Sequence, residues 1–226
     1  MPSTLHARSG YEWINKFSPE DRLLAGRSYR IAKRIMDVTI ILLALPVWGP
    51  LVLVVSLLIK ITSPGAPAIF TQARTGMGGK RFQMYKFRSM VPNAEELKQQ
   101  YAHLNELQWP DFKISNDPRI TPLGRILRKT SFDELPQLLN VLKGDMSLVG
   151  PRPTSFSPET YKLWQTSRLD VMPGITGLWQ VFGRASLEFD ERLRLDIAYI
   201  ERRSIWLDFC LLVMTVVAVV EQRGAH

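Results

Sequence analysis

The chain has 226 residues, 46% of them apolar, which favours one domain with a membrane element over two independent domains. Lys and Arg number 29 against 21 Asp and Glu, a formal charge of +8 that favours anionic partners such as phosphates, anionic lipid or nucleic acid. One cysteine, Cys210, excludes a disulfide framework and Cys/His zinc spacing, and the scattered His6, His103 and His226 argue against a histidine metal site or a Ser-His relay.

Residues Met1 to Arg30 are polar and turn-rich and hold no apolar stretch that could serve as a signal peptide, so the N-terminus is expected in the cytoplasm. Ile35 to Ile59 is apolar except for Asp37 and is long enough to cross a hydrocarbon core of roughly 30 Å. Two features weigh against a straight span. Pro46 and Pro50 bracket Gly49, and each proline removes an amide donor and crowds the carbonyl four residues back, which predicts a kink or break. Basic residues flank both ends: Arg30, Lys33 and Arg34 before, Lys60, Arg74, Lys80 and Arg81 after. Both flanks thus ask for the cytoplasmic side. A helix that enters, turns and returns satisfies them, while a kinked span stays open at this point.

Further along, Ala68 to Thr71 and Arg81 to Arg88 are β-prone and separated by Gly76-Met77-Gly78-Gly79, predicting a small hairpin with Lys80, Arg81, Lys86 and Arg88 crowded at one end. Asn93 to Glu96 reads as a capping box for a helix carrying Leu97, Tyr101, Leu104 and Leu107. Thr130 to Pro136 opens an apolar helix through Leu142, and since Pro136 suits only a first turn, Asp133 and Glu134 belong at or near its N-terminus. There the dipole keeps a carboxylate ionised and attracts phosphate, although Ser131 or Asp133 as a simple cap is the plainer alternative. Gly150-Pro151-Arg152-Pro153 and Pro173 to Gly177 with Gly183-Arg184 are rigid loops that present arginines, as close approach to a phosphate requires. The last apolar run, Trp206 to Val220, is broken by Asp208 and is short for a span, which fits an interfacial or a core-packed helix.

Together these segments, from about Arg30 to Thr215, resemble the bacterial sugar transferase family, the monotopic phosphoglycosyl transferases. The stretches that carry the resemblance are Tyr85 to Met90, Asp117 to Pro153 including Ser131 to Leu138, and Pro173 to Val181 with Gly183-Arg184. The resemblance implies an α+β, predominantly helical fold: a polar extension over 1–30, a re-entrant membrane helix over 31–61 hinged at Pro46, and a cytoplasmic catalytic domain over 62–226. That domain would hold the small β-hairpin, interfacial amphipathic helices and the apolar helix 206–220. Leu45 precedes the hinge proline where relatives often have serine, and the chain is similar to the minimal catalytic form of the family.

By the same resemblance, Asp133 is the nucleophile, Glu134 its partner, and Arg128, Arg152 and Arg184 bind phosphate, with Lys86 and Arg88 added from the hairpin. The implied cofactor is Mg2+, held at Asp133. The implied reaction moves a sugar-1-phosphate from a nucleotide-diphosphate sugar, a uridine diphosphate sugar by family expectation, onto a polyprenyl phosphate through a phosphosugar-aspartyl intermediate. A carboxylate is an adequate nucleophile there only if the diphosphate charge is neutralised, which is the work of magnesium and arginines. Expected partners are the nucleotide sugar, the polyprenyl phosphate and membrane lipid, with a homodimer left open and no nucleic acid. A basic nucleic-acid or lipid binder would not need the Asp133-Glu134 pair, and a structural anchor would not need the arginine loops.

Overall fold

A computed structural model describes residues 2–106, 114–183 and 187–221. Helix α1 (Pro2–Ile14) opens the chain, where the sequence suggested turns. Gly10 and Ile14, four residues apart, mark its buried face, and Phe17, in the turn beyond the helix, packs on the same core. Ile14 is fully buried, and the Trp13 ring lies 4.8 Å from Phe17 and 5.2 Å from Phe182. The N-terminal segment is thereby docked on helices α6 (Leu178–Phe182) and α7 (Phe189–Arg202).

Helix α2 (Gly26–Thr62) is 37 residues long, about 55 Å at 1.5 Å per residue. It runs helically through Pro46 and Pro50, so the predicted break does not appear in the backbone assignment. Near Pro46 the Trp48 indole donates to the Ile41 carbonyl at 2.9 Å, next to the Leu42 carbonyl whose amide donor the proline removes. Its packing is one-sided. Tyr29, Asp37, Ile41, Val55 and Ile59 are buried, whereas Leu42, Leu43, Val47, Leu53, Leu57 and Ile61 are exposed. A continuous apolar face of that size on a long helix is the mark of a lipid-facing surface.

Both limbs of α2 lie on the rest of the fold. The first limb joins the larger core, in which Ile41 packs with Met84, Val141, Leu148, Leu178, Leu207 and Leu211. The second joins a smaller core of Val55, Ile59, Ala68, Phe87 and Leu127. Polar locks fix the first limb. Arg34 donates to the carbonyls of Val141 and, at 2.8 Å, of Leu142, in the last turn of helix α5 (Gln137–Lys143), where a cation suits the dipole. Asp37 accepts from Ser147 at 2.7 Å.

After α2, strands β1 (Ile69–Thr75) and β2 (Arg81–Phe87) form the expected antiparallel hairpin, with Ile69 opposite Phe87 and Thr75 opposite Arg81. Its cations do not gather at one end. Arg81 sits by the turn and bonds the carbonyls of Ser155 and Phe156, whereas Lys86 and Arg88 stand at the far end of the strand. The helix expected after Asn93 is reduced to α3 (Leu97–Gln100) and a 3-10 turn at Ala102–Leu104, and Leu107 lies outside the described residues. Helix α4 (Pro122–Lys129) starts with Pro122 behind Thr121, whose Oγ1 accepts from the Gly124 amide at 2.9 Å. Strands β3 (Ser147–Val149) and β4 (Gly174–Thr176) pair in parallel.

Helix α8 (Ile205–Val220) is capped by Ser204 and resolves the two readings of the C-terminal run into two faces. Leu207, Leu211 and Ala218 are buried, while Trp206, Phe209, Val213, Val216 and Val217 are exposed. Asp208, which interrupts the apolar pattern, is fully buried and ion-paired to Lys33 of α2 at 2.8 Å. It also accepts hydrogen bonds from Tyr29 at 2.8 Å and Tyr199 at 2.6 Å, so one carboxylate joins α2, α7 and α8.

Candidate active site

Asp133 and Glu134 occupy a 3-10 turn (Phe132–Glu134) that leads through Leu135 and Pro136 into α5, so they stand just ahead of the helix rather than within its first turn. The turn is aimed by Ser131, whose φ of 60° makes it the single non-glycine residue with positive φ among the described residues. A serine held there is strained, and such strain persists only where surrounding structure imposes it. Ser131 caps nothing with its side chain, which removes the plainer reading for that residue. Asn140 of α5 fixes the turn against the hairpin. It is fully buried, accepts from the Tyr85 amide at 2.9 Å and donates to the Gln83 carbonyl at 2.7 Å, mimicking an added strand on the β2 edge. Lys86, next along the strand, is thereby brought to Glu134.

Glu134 is gripped from two sides. Arg152 donates through both terminal nitrogens, one to Oε1 and the other to Oε2 at 3.2 Å, and Lys86 reaches Oε1 at 2.8 Å. Burial opposes ionisation of Glu134, but Arg152 and Lys86 more than offset it and hold the carboxyl well below the usual range. Asp133 is buried and held less closely, 3.9 Å from Lys86. Burial pushes its carboxyl up; Lys86 acts against that, Glu134 adds to it, and Arg128 and Arg152 oppose it. Two adjacent acids with pKa values driven in opposite directions is the arrangement expected of paired catalytic carboxylates.

The surrounding arginines are placed by tight backbone packing. Gly124 lets α4 lie on Ser89, since a Cβ there would sit 1.9 Å from the Ser89 carbonyl oxygen. Arg128 of α4 then donates to Ser89 Oγ at 2.9 Å and faces the Asp133 charge. Gly150 and Gly174 pack back to back, where a Cβ on Gly174 would meet the Gly150 nitrogen at 2.1 Å, and this sets the exit of β3 into Pro151-Arg152. Arg168 completes the support by donating to the Arg152 carbonyl at 2.6 Å and to Asp196 at 2.8 Å. Burial pushes the Asp196 carboxyl up to about 7, with Arg168 opposing.

The charged residues around Asp133 and Glu134 line one cleft of about 1940 Å³, larger than the 300 to 1,000 Å³ of a typical small-ligand site. Of the residues predicted from sequence, Asp133, Glu134, Lys86, Arg128 and Arg152 meet in it. Arg88 lines its outer part, bonded to the Pro67 carbonyl at 2.8 Å and over the Phe70 ring at 5.9 Å. Pro46 lies within α2, and Arg184 lies outside the described residues. Arg74 also lines the cleft. In the sequence Arg74 stands only as a flanking charge, between the β-prone run Ala68 to Thr71 and the glycine turn. Among the described residues, no group of three or more His, Cys, Asp or Glu side chains gathers as a metal cage.

Comparison with known proteins gives the family. The bacterial sugar transferase family profile matches residues 28–222. The chain is 46% identical over 200 residues to the galactosyl transferase CpsE of Streptococcus agalactiae, covering 88% of this chain and 44% of that protein. It is also 46% identical over 208 residues to the undecaprenyl-phosphate galactose phosphotransferase of Salmonella typhimurium, covering 90% of this chain and 43% of the relative. With the exopolysaccharide production protein ExoY of Rhizobium meliloti it shares 35% identity over 215 residues, 93% of this chain and 95% of ExoY. The chain thus spans less than half the length of the first two relatives and nearly all of the third. On the strength of the profile match, which covers most of its length, this chain belongs to the bacterial sugar transferase family.

Proposed function

We propose that the chain transfers a sugar-1-phosphate from a nucleotide-diphosphate sugar, a uridine diphosphate sugar, to undecaprenyl phosphate or a similar polyprenyl phosphate, starting a bacterial glycoconjugate or exopolysaccharide. The observation that carries this reading is Asp133: a buried carboxylate on a strained turn, beside a Glu134 whose charge is already taken by Arg152 and Lys86. One Asp133 oxygen attacks the phosphorus bearing the sugar, and the bond from that phosphorus to the bridging oxygen breaks, releasing the nucleoside monophosphate. An oxygen of the lipid phosphate then attacks the same phosphorus, and the bond to Asp133 breaks to restore the carboxylate. Arg152, Lys86 and Arg128 neutralise charge on the phosphoryl oxygens, and because they are already positioned, little reorganisation accompanies the step. Glu134 holds Lys86 and Arg152 in place for that task.

Magnesium belongs to the same proposal, at Asp133. Glu134 is committed to two cations, which leaves Asp133 as the carboxylate able to share a metal with diphosphate oxygens and water, the donor set this ion prefers. When bound, magnesium would neutralise and polarise the diphosphate.

For the membrane, we propose that α2 enters one leaflet and returns, leaving the catalytic region on the cytoplasmic face. The support is that Tyr29 and Ile59, near opposite ends of the helix, both pack on the same folded unit, with the prolines between them and cations on both flanks. A crossing would carry one of those packed ends to the far side. The exposed faces of α2 and α8 supply the apolar contact.

The test is release of nucleoside monophosphate by the purified full chain from a panel of nucleotide sugars with polyprenyl phosphate present. Release from a uridine diphosphate sugar is expected, and no release from any member of the panel would overturn the reading.

A further inference from the structure

The cleft holds more positive charge than its own carboxylates balance. Four cations, Arg74, Lys86, Arg128 and Arg152, stand around Asp133 and Glu134, and among the other described residues lining the cleft Lys and Arg also outnumber Asp and Glu. Asp117, the other acid acting on Arg128, is consumed by Arg119, which donates to it through Nε at 2.9 Å and Nη2 at 2.7 Å. An excess of cations over carboxylates suits an anionic phosphate ligand.

Arg74 is the least compensated of the four. It projects from β1 into the cleft, half-buried, beside Arg152. Among the described residues no carboxylate forms an ion pair with it. Its Nη2 donates to Gln72 Oε1 at 2.6 Å and its Nη1 to the Pro153 carbonyl at 3.3 Å, both neutral acceptors, and its Nε is buried without a partner. Burial lowers its pKa to about 10, with Arg152 adding to the effect, and the guanidinium is still charged at neutral pH. Two guanidinium groups side by side, one paired to Glu134 and one paired to no acid, repel each other without an anion between them. Gln72 and the Pro153 carbonyl hold Arg74 in place against that repulsion, so the geometry costs stability until an anion arrives.

We infer that Arg74 is a substrate-binding residue whose guanidinium, together with Arg152, receives the diphosphate of the nucleotide-sugar donor. The inference rests on the proposed reading of the cleft as a nucleotide-sugar site and adds a specific residue to it. The lipid phosphate is the other anion the cleft would meet; a diphosphate, with two linked phosphoryl groups, is the one that can place one group on Arg74 and the other on Arg152.

The experiment is calorimetric titration of the full chain in lipid nanodiscs with uridine diphosphate, uridine monophosphate and a short-chain polyprenyl monophosphate, beside thermal melting of the same samples. Arg74→Gln should weaken uridine diphosphate binding at least tenfold and either monophosphate no more than about threefold, with a melting temperature at or above that of the unaltered chain. Arg74→Lys, which keeps the charge and loses the fork, should fall between the two. Unchanged diphosphate affinity in Arg74→Gln, or a loss confined to the polyprenyl phosphate, overturns the assignment. So does a lowered melting temperature with affinity intact, which is the signature of a structural arginine. If the unaltered chain binds no uridine diphosphate, the nucleotide-sugar reading fails and this inference with it, whereas binding that survives in Arg74→Gln sinks this inference alone.

Discussion

Two clusters of buried charge organise this protein, and they are built on opposite plans. Around Asp208 the cluster is closed: Lys33, Tyr29 and Tyr199 satisfy both carboxylate oxygens, and the acid is fully buried. Around Asp133 and Glu134 it is open: cations outnumber acids, Arg74 has a buried nitrogen without a partner, and the backbone passes through a left-handed serine. A closed cluster has settled its desolvation cost internally and serves the fold, here by fixing α2 to α7 and α8. The open one keeps electrostatic capacity for a ligand at some expense in stability. Mutations should therefore separate activity from stability according to which cluster they touch.

The largest expected effect lies in the open cluster. Asp133→Asn should lower turnover by roughly three orders of magnitude or more while leaving the protein membrane-bound with an unchanged or higher melting temperature. The side chain keeps its size, and the variant removes a carboxylate that burial already disfavours. Measured transfer above a few per cent of the unaltered rate would break the comparison at its functional end. Asp208→Asn should do the reverse. It strands Lys33 in a buried site, so denaturation should show a loss of about 3 to 5 kcal/mol, while turnover per folded molecule changes little. A variant as stable as the parent would show that the closed cluster is not what holds α2.

A pH profile sharpens the contrast within the open cluster. Asp133 must be ionised to attack, and its pKa is raised, so activity should rise with pH through a limb above the ordinary carboxylate range. Glu134 is held low and stays ionised throughout that window. Since Lys86 opposes the rise in Asp133, Lys86→Gln should move the limb to still higher pH; a shift downward, or none, would remove Lys86 from the account. The smallest effect is expected from Ser89→Ala, which deletes the hydroxyl that steadies Arg128 and should cost about 0.5 to 1.5 kcal/mol in kcat/KM, a severalfold loss.

The hairpin over 69–87, the apolar run Ile35 to Ile59 and the position of the Asp133-Glu134 turn were legible because each rests on local pattern, whereas the start of α2 at Gly26 and its continuity through Pro46 and Pro50 were not. The loop that carries Arg152 was legible because Gly150, Pro151 and Pro153 restrict the backbone in ways visible in the sequence, while Arg184 lies outside the described residues. Partners far along the chain were not. Asp208 read as an interruption of an apolar run because Lys33 is 175 residues away. Arg74 read as a flanking charge because its place beside Arg152 depends on the β1–β2 register and on the bridge between Thr75 and Thr154. Lys80, Arg81, Lys86 and Arg88 were grouped by proximity in sequence, and the extended strand holds them apart. The docking of α1 was missed because its few core-facing residues, Ile14 among them, were outweighed by the polar composition of the first thirty.

The central claim is that Asp133 carries the phosphosugar between donor and lipid. It is tested most directly by mixing the purified chain with a uridine diphosphate sugar in the absence of any polyprenyl phosphate, quenching within seconds, and analysing peptides by mass spectrometry. The account predicts release of nucleoside monophosphate up to one equivalent per chain and a matching hexose-phosphate mass on the peptide containing Asp133, absent in Asp133→Asn. No release until the lipid acceptor is added, with no adduct on any peptide of an enzyme that then turns over, would show direct transfer and contradict it.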